Sequence, residues 1–249
     1  MRYFIELKYD GSAYCGWQLQ PGALSVQEKV ELALRYRASF VGHITGCGRT
    51  DTGVHARQYF AHFDVDKLFD TDKLVNQLNS FLSKDIAVLR IFQVNSAAHA
   101  RFDAISRTYT YHIETRKNPF THAYSWFLHH RPDVHAMNQA AGILHQYSDF
   151  TSFSKLHTDV KTNNCMVSAA FWKEEGSQLV FTIQSDRFLR NMVRAIVGTL
   201  VDVGRGRITL EDFRLIIESK NRQNAGMSAP AHALFLESVE YDWSKILTF

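Results

Sequence analysis

Features that would place a chain in a specialised class are missing from this sequence or scarce in it. It contains only three cysteines, and no two of them stand at the spacing of a metal site or a redox motif. An odd number of cysteines without a leader sequence favours a reducing compartment. Residues 1–6 carry charges in place of an apolar signal core, and no hydrophobic run approaches the length of a membrane span. We therefore predict a cytoplasmic protein without a membrane segment.

Low-complexity segments, charge blocks and long linkers are absent as well. With 249 residues, 45% of them hydrophobic and 21% charged, the chain is predicted to be globular and large enough for one large or two modest domains. The formal charge of +3 permits a polyanionic partner without requiring one. The distribution of charge is more informative, because residues 187–207 contain five arginines and one acidic residue. Arginine suits phosphate better than lysine does.

Hydrophobic periodicity predicts an N-terminal α+β half over residues 1–98. Alternating apolar residues are typical of strands, and Ser or Thr placed before helical spacing is typical of a helix start. The first strand, at residues 3–9, alternates in the manner of a strand with one buried face. The other expected elements are a helix from Ser25 to about Ala38, a strand at 58–65, a helix capped by Thr71 and a strand at 86–94.

The C-terminal half, residues 99–249, shows the same mixture of periods. The strand expected at 107–113 places Tyr109 on an aromatic face. Residues 174–177 carry the signal of a tight turn between two strands. The other expected elements are helices from Asp133, over 188–203 and over 209–219, and a last strand at 234–241. The predicted fold class is α+β with mostly antiparallel pairing.

The helix predicted at 188–203 combines a wide apolar face with an arginine stripe. Its apolar residues fall within about 100° on a helical wheel, and Arg187, Arg190 and Arg194 cluster on the opposite side. Arginines on a deeply buried helix need an anionic partner, which is either an internal carboxylate or an anionic substrate. Both alternatives stay open at this point.

A glycine-rich loop, residues 46–56, is the segment best suited to chemistry. It reads Gly-Cys-Gly-Arg-Thr-Asp-Thr-Gly-Val-His-Ala, and its glycines permit positive φ angles and close approach of another backbone. An Asp in such a loop is often a turn former, and the alternative is a reactive carboxylate. The side chains expected to be exposed are Arg49, Thr50, Asp51 and His55.

Two familiar chemistries fit this loop poorly. Gly46 to Gly48 begins like a phosphate cradle, but a third glycine at the right spacing is missing and a strand follows in place of a helix. Asp51 to Gly53 matches the triplet of aspartic proteases, whose two aspartates share a proton. Arg49 stands two residues earlier and favours a fully ionised carboxylate. The third interpretation is a nucleophile or base that acts on an RNA base.

Six motifs that span essentially the whole chain resemble, in order, those of the tRNA pseudouridine synthase A family. The loop at 46–56 is the most specific of them. The other five are Tyr9-Asp10-Gly11, Gly16-Trp17-Gln18-Leu19-Gln20, Ala100-Arg101-Phe102, Arg107-Thr108-Tyr109-Thr110-Tyr111, and Asn191-Met192-Val193-Arg194 with Val197-Gly198. The resemblance implies the pseudouridine synthase fold, in which two similar α+β halves share a mostly antiparallel mixed sheet flanked by helices.

The resemblance also implies roles for individual residues. Asp51 matches the catalytic aspartate that attacks the target uridine, and Arg49 matches the arginine that flips the base out of its stem. Tyr109 matches the tyrosine that stacks on that base. Arg194 matches the basic partner of the aspartate. Further substrate contacts are expected from Leu234, Arg187 and Arg190.

The implied activity is that of an isomerase that converts uridines at positions 38, 39 and 40 of the tRNA anticodon arm to pseudouridine. The family works as a homodimer in which tRNA contacts both subunits, and neither a cofactor nor a metal is expected for this isomerisation. The alternative is a tRNA-binding module without turnover. Cys47, Thr52 and Ala233 depart from the family pattern. These departures concern local geometry, because all reacting groups stay in place.

Overall fold

The computed structural model describes residues 1–66, 68, 70–155 and 162–247. The chain divides into two compact units. The first unit consists of Met1–Ser106 and Leu236–Phe249, and the second consists of Arg107–Phe235. The end of the chain therefore belongs to the same unit as its beginning.

Nine strands and six α-helices occur within the described residues. The strands are β1 (Arg2–Tyr9), β2 (Thr45–Gly46), β3 (His55–Asp64), β4 (Ile86–Val94), β5 (Ala104–Glu114), β6 (Trp126–Phe127), β7 (Val167–Glu175), β8 (Gln178–Ser185) and β9 (Leu234–Tyr241). The helices are α1 (Val26–Ala38), α2 (Thr71–Phe81), α3 (Val134–Ile143), α4 (Met192–Gly204), α5 (Leu210–Glu218) and α6 (Trp243–Ile246).

The sheet of the first unit is built around β1. Its strands are ordered β4-β1-β3-β9, and the short strand β2 adds to β3. Strand β1 pairs antiparallel on both sides, so that Phe4 stands opposite His62 of β3 and Phe92 of β4. Helix α2 packs on β4 and on α1. This arrangement confirms the β-α-β-α-β order predicted for the first half, with β2 as an addition.

Strand β1 differs from the prediction of a strand with a single buried face. All residues from Tyr3 to Leu7 are buried, including Glu6. The polar Glu6 gave the second face a hydrophilic appearance in the sequence. In the structure it accepts hydrogen bonds from Gln58 Nε2, at 2.7 Å, and from Arg90. Because its charge has partners, the second face can be covered too.

The second unit contains the predicted hairpin. Strands β5, β8 and β7 are antiparallel neighbours, and β6 pairs with β5 in parallel. Tyr111 of β5 and Trp172 of β7 both stand opposite Phe181 of β8. The turn between β7 and β8 contains Gly176, whose φ of 65° is a left-handed conformation that favours glycine. Helix α3 packs on β7 and on α4.

Helix α4 begins at Met192, later than predicted. The preceding residue, Asn191, has a φ of 67°, and this left-handed conformation interrupts helical geometry. Arg187 and Arg190 therefore lie ahead of the helix. The predicted arginine stripe is wrong, because only Arg194 lies on α4. The expectation that this helix is deeply buried is confirmed.

Two other helix starts test the capping predictions. Ser25 caps α1 as predicted, because its Oγ accepts a hydrogen bond from Glu28 N at 3.2 Å. Helix α2 is capped by Asp70 and not by Thr71, since Asp70 Oδ1 accepts from Lys73 N at 3.0 Å. Asp and Thr are both effective caps, so the sequence pattern placed the cap one residue late.

The fold class is α+β, with a mixed sheet flanked by helices, as the sequence predicts. In the described parts of the chain, no helix combines the length and apolar character needed to cross a bilayer.

Candidate active site

The glycine-rich loop connects β2 to β3 in the first unit. Thr45 pairs with His62 and Gly46 with Ala61, so the two strands run antiparallel up to the start of the loop. Cys47 N then donates to Phe60 O at 2.8 Å, which continues the antiparallel hydrogen bonding between the two strands by one residue. The loop is therefore tied to β3 at its first residues.

An aromatic pair forms the wall against which Gly46 packs. The rings of Trp17 and Tyr59 are stacked, with centroids 4.1 Å apart. A Cβ atom on residue 46 would lie 2.1 Å from Tyr59 Oη and 2.5 Å from Trp17 Nε1. A glycine is needed here because any side chain would displace this pair.

Hydrogen bonds fix the loop on both sides of Arg49. The hydroxyl of Tyr59 donates to the carbonyl of Gly48. Thr50 Oγ1 accepts from Trp17 N at 3.1 Å and is hydrogen-bonded to Tyr9 Oη at 2.9 Å. These contacts bury Thr50, whereas Arg49 next to it is exposed.

The second half of the loop is a tight turn that begins at Asp51. Its backbone carbonyl accepts from Val54 N at 3.1 Å, and Gly53 has a φ of 77°. Gly53 N donates to Tyr14 O at 3.2 Å. The main chain of Asp51 forms this turn. The half-buried carboxylate of Asp51 remains a candidate for the alternative role, that of a reactive group.

The exposure predicted for the loop is correct for Arg49 only. His55 is buried, and its Nδ1 accepts from Gly11 N at 3.0 Å. Thr50 is also buried. Both side chains fix the loop to neighbouring segments, and the sequence pattern could not show this because their partners lie far away along the chain.

A cavity of about 370 Å³ opens beside the loop. The guanidinium of Arg49 lines it and makes no hydrogen bond or ion pair with any described residue. The remaining lining residues are Trp17, Gln18, Leu19, Gln27, His43, Ile44, Thr45, Gly46, Gly48 and Arg101. An arginine in such a position is available to an anionic ligand.

Tyr109 lies on β5 in the second unit and is half-buried. Its ring meets that of Phe188 edge to face, with centroids 5.1 Å apart. Tyr111 and Ile113, two and four residues further along the strand, are buried. Tyr109 therefore stands at the accessible end of the aromatic face that alternation predicted.

Arg194 lies in the first turn of α4 and connects it to a neighbouring segment. Its Nε donates to Ala229 O at 2.7 Å, and Ala229 N donates to Arg194 O at 3.0 Å. Tyr111 Oη donates to Pro230 O at 2.9 Å beside them. Burial raises the pKa of Tyr111, and the nearby Arg194 charge opposes only part of that rise.

The other predicted contact residues have different surroundings. Arg187 is half-buried, and its Nη1 donates to Thr162 O at 3.3 Å. Arg190 is exposed, and Leu234 is buried at the start of β9.

Metal-binding groups were also sought among the described residues. No group of three or more His, Cys, Asp or Glu side chains there is arranged to hold a metal ion.

Similarity to known proteins covers nearly the entire chain. A family model described as tRNA pseudouridine synthase matches residues 147–242. The chain is 55% identical to tRNA pseudouridine synthase A of Parabacteroides distasonis, over 96% of both chains. It is 37% identical to the protein of that name from Bacillus pumilus, over 97% of this chain and 100% of the relative. The chain therefore belongs to the tRNA pseudouridine synthase A family of isomerases.

Proposed function

We propose that this tRNA-modifying isomerase acts on uridines 38, 39 and 40 of the anticodon arm, with Asp51 as its nucleophile. The observation that carries the proposal is the fixed loop geometry. The residue before Asp51 is hydrogen-bonded to Tyr9 and Trp17, and the turn after it is closed by Val54 N. A carboxylate held on such a loop needs little reorganisation before attack.

The chemistry is balanced without a cofactor. The bond between N1 of uracil and C1′ of ribose breaks, the base rotates, and a bond between C5 and C1′ forms. The hydrogen on C5 leaves as a proton and N1 takes up a proton, so the product is an isomer of the starting uridine. The Asp51 carboxylate adds either to the base ring or to the ribose carbon and is released unchanged when the new bond has formed.

Arg49 and Tyr109 supply the two contacts that a flipped base requires. A base inside a stem is inaccessible, so it must leave its stack before the glycosidic bond can be attacked. The exposed guanidinium of Arg49 is suited to take the place that the base leaves. The half-buried ring of Tyr109 is suited to stack on the flipped base, because its edge-to-face contact with Phe188 fixes its plane.

Arg194 is proposed to pair with Asp51 and keep it ionised. A guanidinium next to a carboxylate favours the charged form, which is the nucleophilic one. The bond from Arg194 Nε to Ala229 O fixes the side chain at the start of α4. A guanidinium also has N–H donors on its two terminal nitrogens, which is the geometry that suits a carboxylate.

The remaining predicted residues are proposed to contact tRNA outside the reaction itself. The exposed Arg190 and the half-buried Arg187 are suited to phosphates. Leu234 is suited to an apolar contact with the base. We further propose that the protein is a cytoplasmic homodimer in which tRNA contacts both subunits, and sedimentation velocity with and without tRNA tests the dimer.

Release of tritium from tRNA labelled at uridine C5 tests the catalytic assignment. Wild type should release tritium, whereas Asp51→Asn should release none and bind tRNA within a few fold of wild type. Asp72→Asn, at the exposed start of α2, serves as a control and should behave as wild type. Turnover by Asp51→Asn would refute the nucleophile. Binding by wild type without any tritium release would favour the non-catalytic tRNA-binding module.

A further inference from the structure

A turn beside the cavity carries two side chains that the proposed chemistry does not use. Arg101 lines the cavity, and Phe102 exposes 75% of its surface. The guanidinium carbon of Arg101 lies 5.7 Å from the centre of the Phe102 ring. A cation and an accessible aromatic ring thus occur together at the rim of the cavity that Arg49 also lines.

The cavity itself is suited to an anion. Arg49, Arg101 and His43 line it, and none of its lining residues is acidic. A buried carboxylate, Glu31, contacts the cavity wall from behind: it accepts hydrogen bonds from Gln27 Nε2 at 2.8 Å, from Ile44 N at 3.0 Å and from His43 Nδ1 at 3.1 Å. With its oxygens engaged in this way, Glu31 does not compete for the arginines.

Gln18 adds an unused polar group to the same wall. Its side-chain amide makes no hydrogen bond with any residue in the described ranges. By contrast, the amide of Gln27 is engaged on both sides, because its Oε1 accepts from Leu19 N and its Nε2 donates to Ile44 O. A volume of about 370 Å³ is at the small end of the range for ligand sites, which is appropriate for a single nucleotide.

Histidine side chains hold the turn in shape. His99 Nδ1 accepts from Arg101 N at 3.1 Å and from Phe102 N at 3.3 Å. His62 Nδ1 accepts from Ala100 N at 3.1 Å. The rings of His99 and Phe102 lie 4.2 Å apart, so one face of Phe102 is supported by protein. A ring fixed in this way loses little conformational entropy when it stacks on a ligand.

We propose that the cavity and Phe102 form a subsite for one unpaired nucleotide that neighbours the target uridine in tRNA. Its phosphate lies in the cavity beside Arg101, and its base stacks on Phe102. Gln18 donates to a phosphate or sugar oxygen. The proposal rests on the proposed function, because the nucleotide belongs to the tRNA that the loop modifies.

Equilibrium binding of an unmodified tRNA transcript at several salt concentrations tests the subsite. Arg101→Met should weaken binding several-fold and reduce the slope of log K against log salt by about 1, as expected for one phosphate contact. Phe102→Ala should weaken binding roughly tenfold and leave the slope unchanged, because stacking is not electrostatic. Phe102→Trp should retain the wild-type affinity.

A second arginine and phenylalanine pair in the same unit provides a matched control. Arg37 lies over the ring of Phe81 at 5.5 Å, and neither residue lines the cavity. Arg37→Met and Phe81→Ala should leave both the affinity and the salt slope unchanged. Thermal unfolding of all five variants checks that the exposed side chains contribute little to stability.

An abasic nucleotide placed at single positions of the anticodon arm identifies the stacked base. At one position next to the target, the abasic tRNA should bind wild type roughly tenfold more weakly and bind Phe102→Ala no more weakly than intact tRNA. If the abasic substitution weakened binding to Phe102→Ala as much as binding to wild type at every position, base stacking on Phe102 would be overturned.

Failure of the subsite is distinguishable from failure of the proposed function, because binding does not require turnover. Unchanged affinity and salt slope in both Arg101→Met and Phe102→Ala would overturn the subsite and leave the role of Asp51 untouched. Turnover by Asp51→Asn would refute the nucleophile while these binding measurements still support the subsite.

Discussion

The indole ring of Trp17 stacks on the phenol ring of Tyr59, and the two rings face the α-carbon of Gly46. The loop that carries Asp51 begins at that point. Its course is therefore set by two aromatic side chains that come from outside it, and substitutions that disturb this packing should change stability and turnover together.

Gly46→Ala tests that packing. The new methyl group would overlap Tyr59 Oη and Trp17 Nε1, so we expect a loss of roughly 1–3 kcal/mol in the free energy of unfolding. Turnover should fall as well, because the loop must shift. Gly48→Ala is the matched control, since a Cβ atom there meets nothing within 4 Å. Urea unfolding measures both variants, and equal stability of the two would contradict the explanation.

Thr50→Val removes the hydroxyl that anchors the residue before Asp51. The substitution leaves the amide of Trp17 and the hydroxyl of Tyr9 without this partner in a buried place, which costs roughly 1–3 kcal/mol. We expect a lower melting temperature and a reduced kcat. Thr50→Ser should recover most of both. Thr52→Val, on an exposed residue of the same loop, should have little effect on melting.

Arg194→Met tests the proposed pairing with Asp51. We expect kcat in the tritium-release assay to fall strongly while the Kd for tRNA changes by only a few fold, because the substitution affects the nucleophile more than the binding surface. Arg194→Lys keeps the charge and should recover part of kcat. Arg190→Met serves as the comparison, and it should raise the Kd with little change in kcat. If Arg194→Met instead raised the Kd strongly with little change in kcat, Arg194 would be assigned to tRNA binding and not to the nucleophile.

The stability of the first unit should depend on pH through His62. Burial, assisted by the charge of Arg2 and by His99, lowers the pKa of His62 from 6.5 to about 4, although Asp64 and Asp103 act in the opposite direction. Between those two pH values the unfolded chain binds more protons than the folded one. Stability therefore falls as the pH is lowered through this window, by up to about 3 kcal/mol.

His62→Asn isolates this contribution. The amide oxygen of Asn can accept the hydrogen bond from Ala100 N but cannot titrate, so the difference in unfolding free energy between the variant and wild type should change between pH 6.5 and about 4. Urea unfolding over this range measures it. A difference that is constant with pH would show that His62 does not titrate on unfolding.

The sequence was sufficient for the overall architecture and for the location of the loop. Alternation and capping patterns predicted most helices and strands, and the residues of the loop identified the family. Helix α4 was placed too early because the apolar period continues through Phe188 and Leu189, whereas the left-handed Asn191 leaves no trace in that period. Hydrophobic periodicity indicates where a helix is favoured, but it does not show that one residue with a left-handed backbone conformation delays the start of that helix.

Contacts between distant segments limited the prediction of the site. His55 and Thr50 were expected on the surface, since polar residues in a glycine-rich loop are usually exposed. They are buried because Gly11 N and Tyr9 Oη, which lie more than 40 residues earlier in the chain, bind them. Nothing in the spacing of residues 46–56 reveals these partners.

The close approach of Gly11 and Gly16 to the loop has a consequence for transplanting this site. A Cβ atom on residue 11 would lie 2.0 Å from Val54 O, and one on residue 16 would lie 2.1 Å from Thr50 O. The segment from Tyr9 to Trp17 therefore packs against the loop and determines its backbone conformation. An isolated peptide of residues 46–56 would sample many conformations. A scaffold designed to carry this loop must therefore also contain the segment from Tyr9 to Trp17.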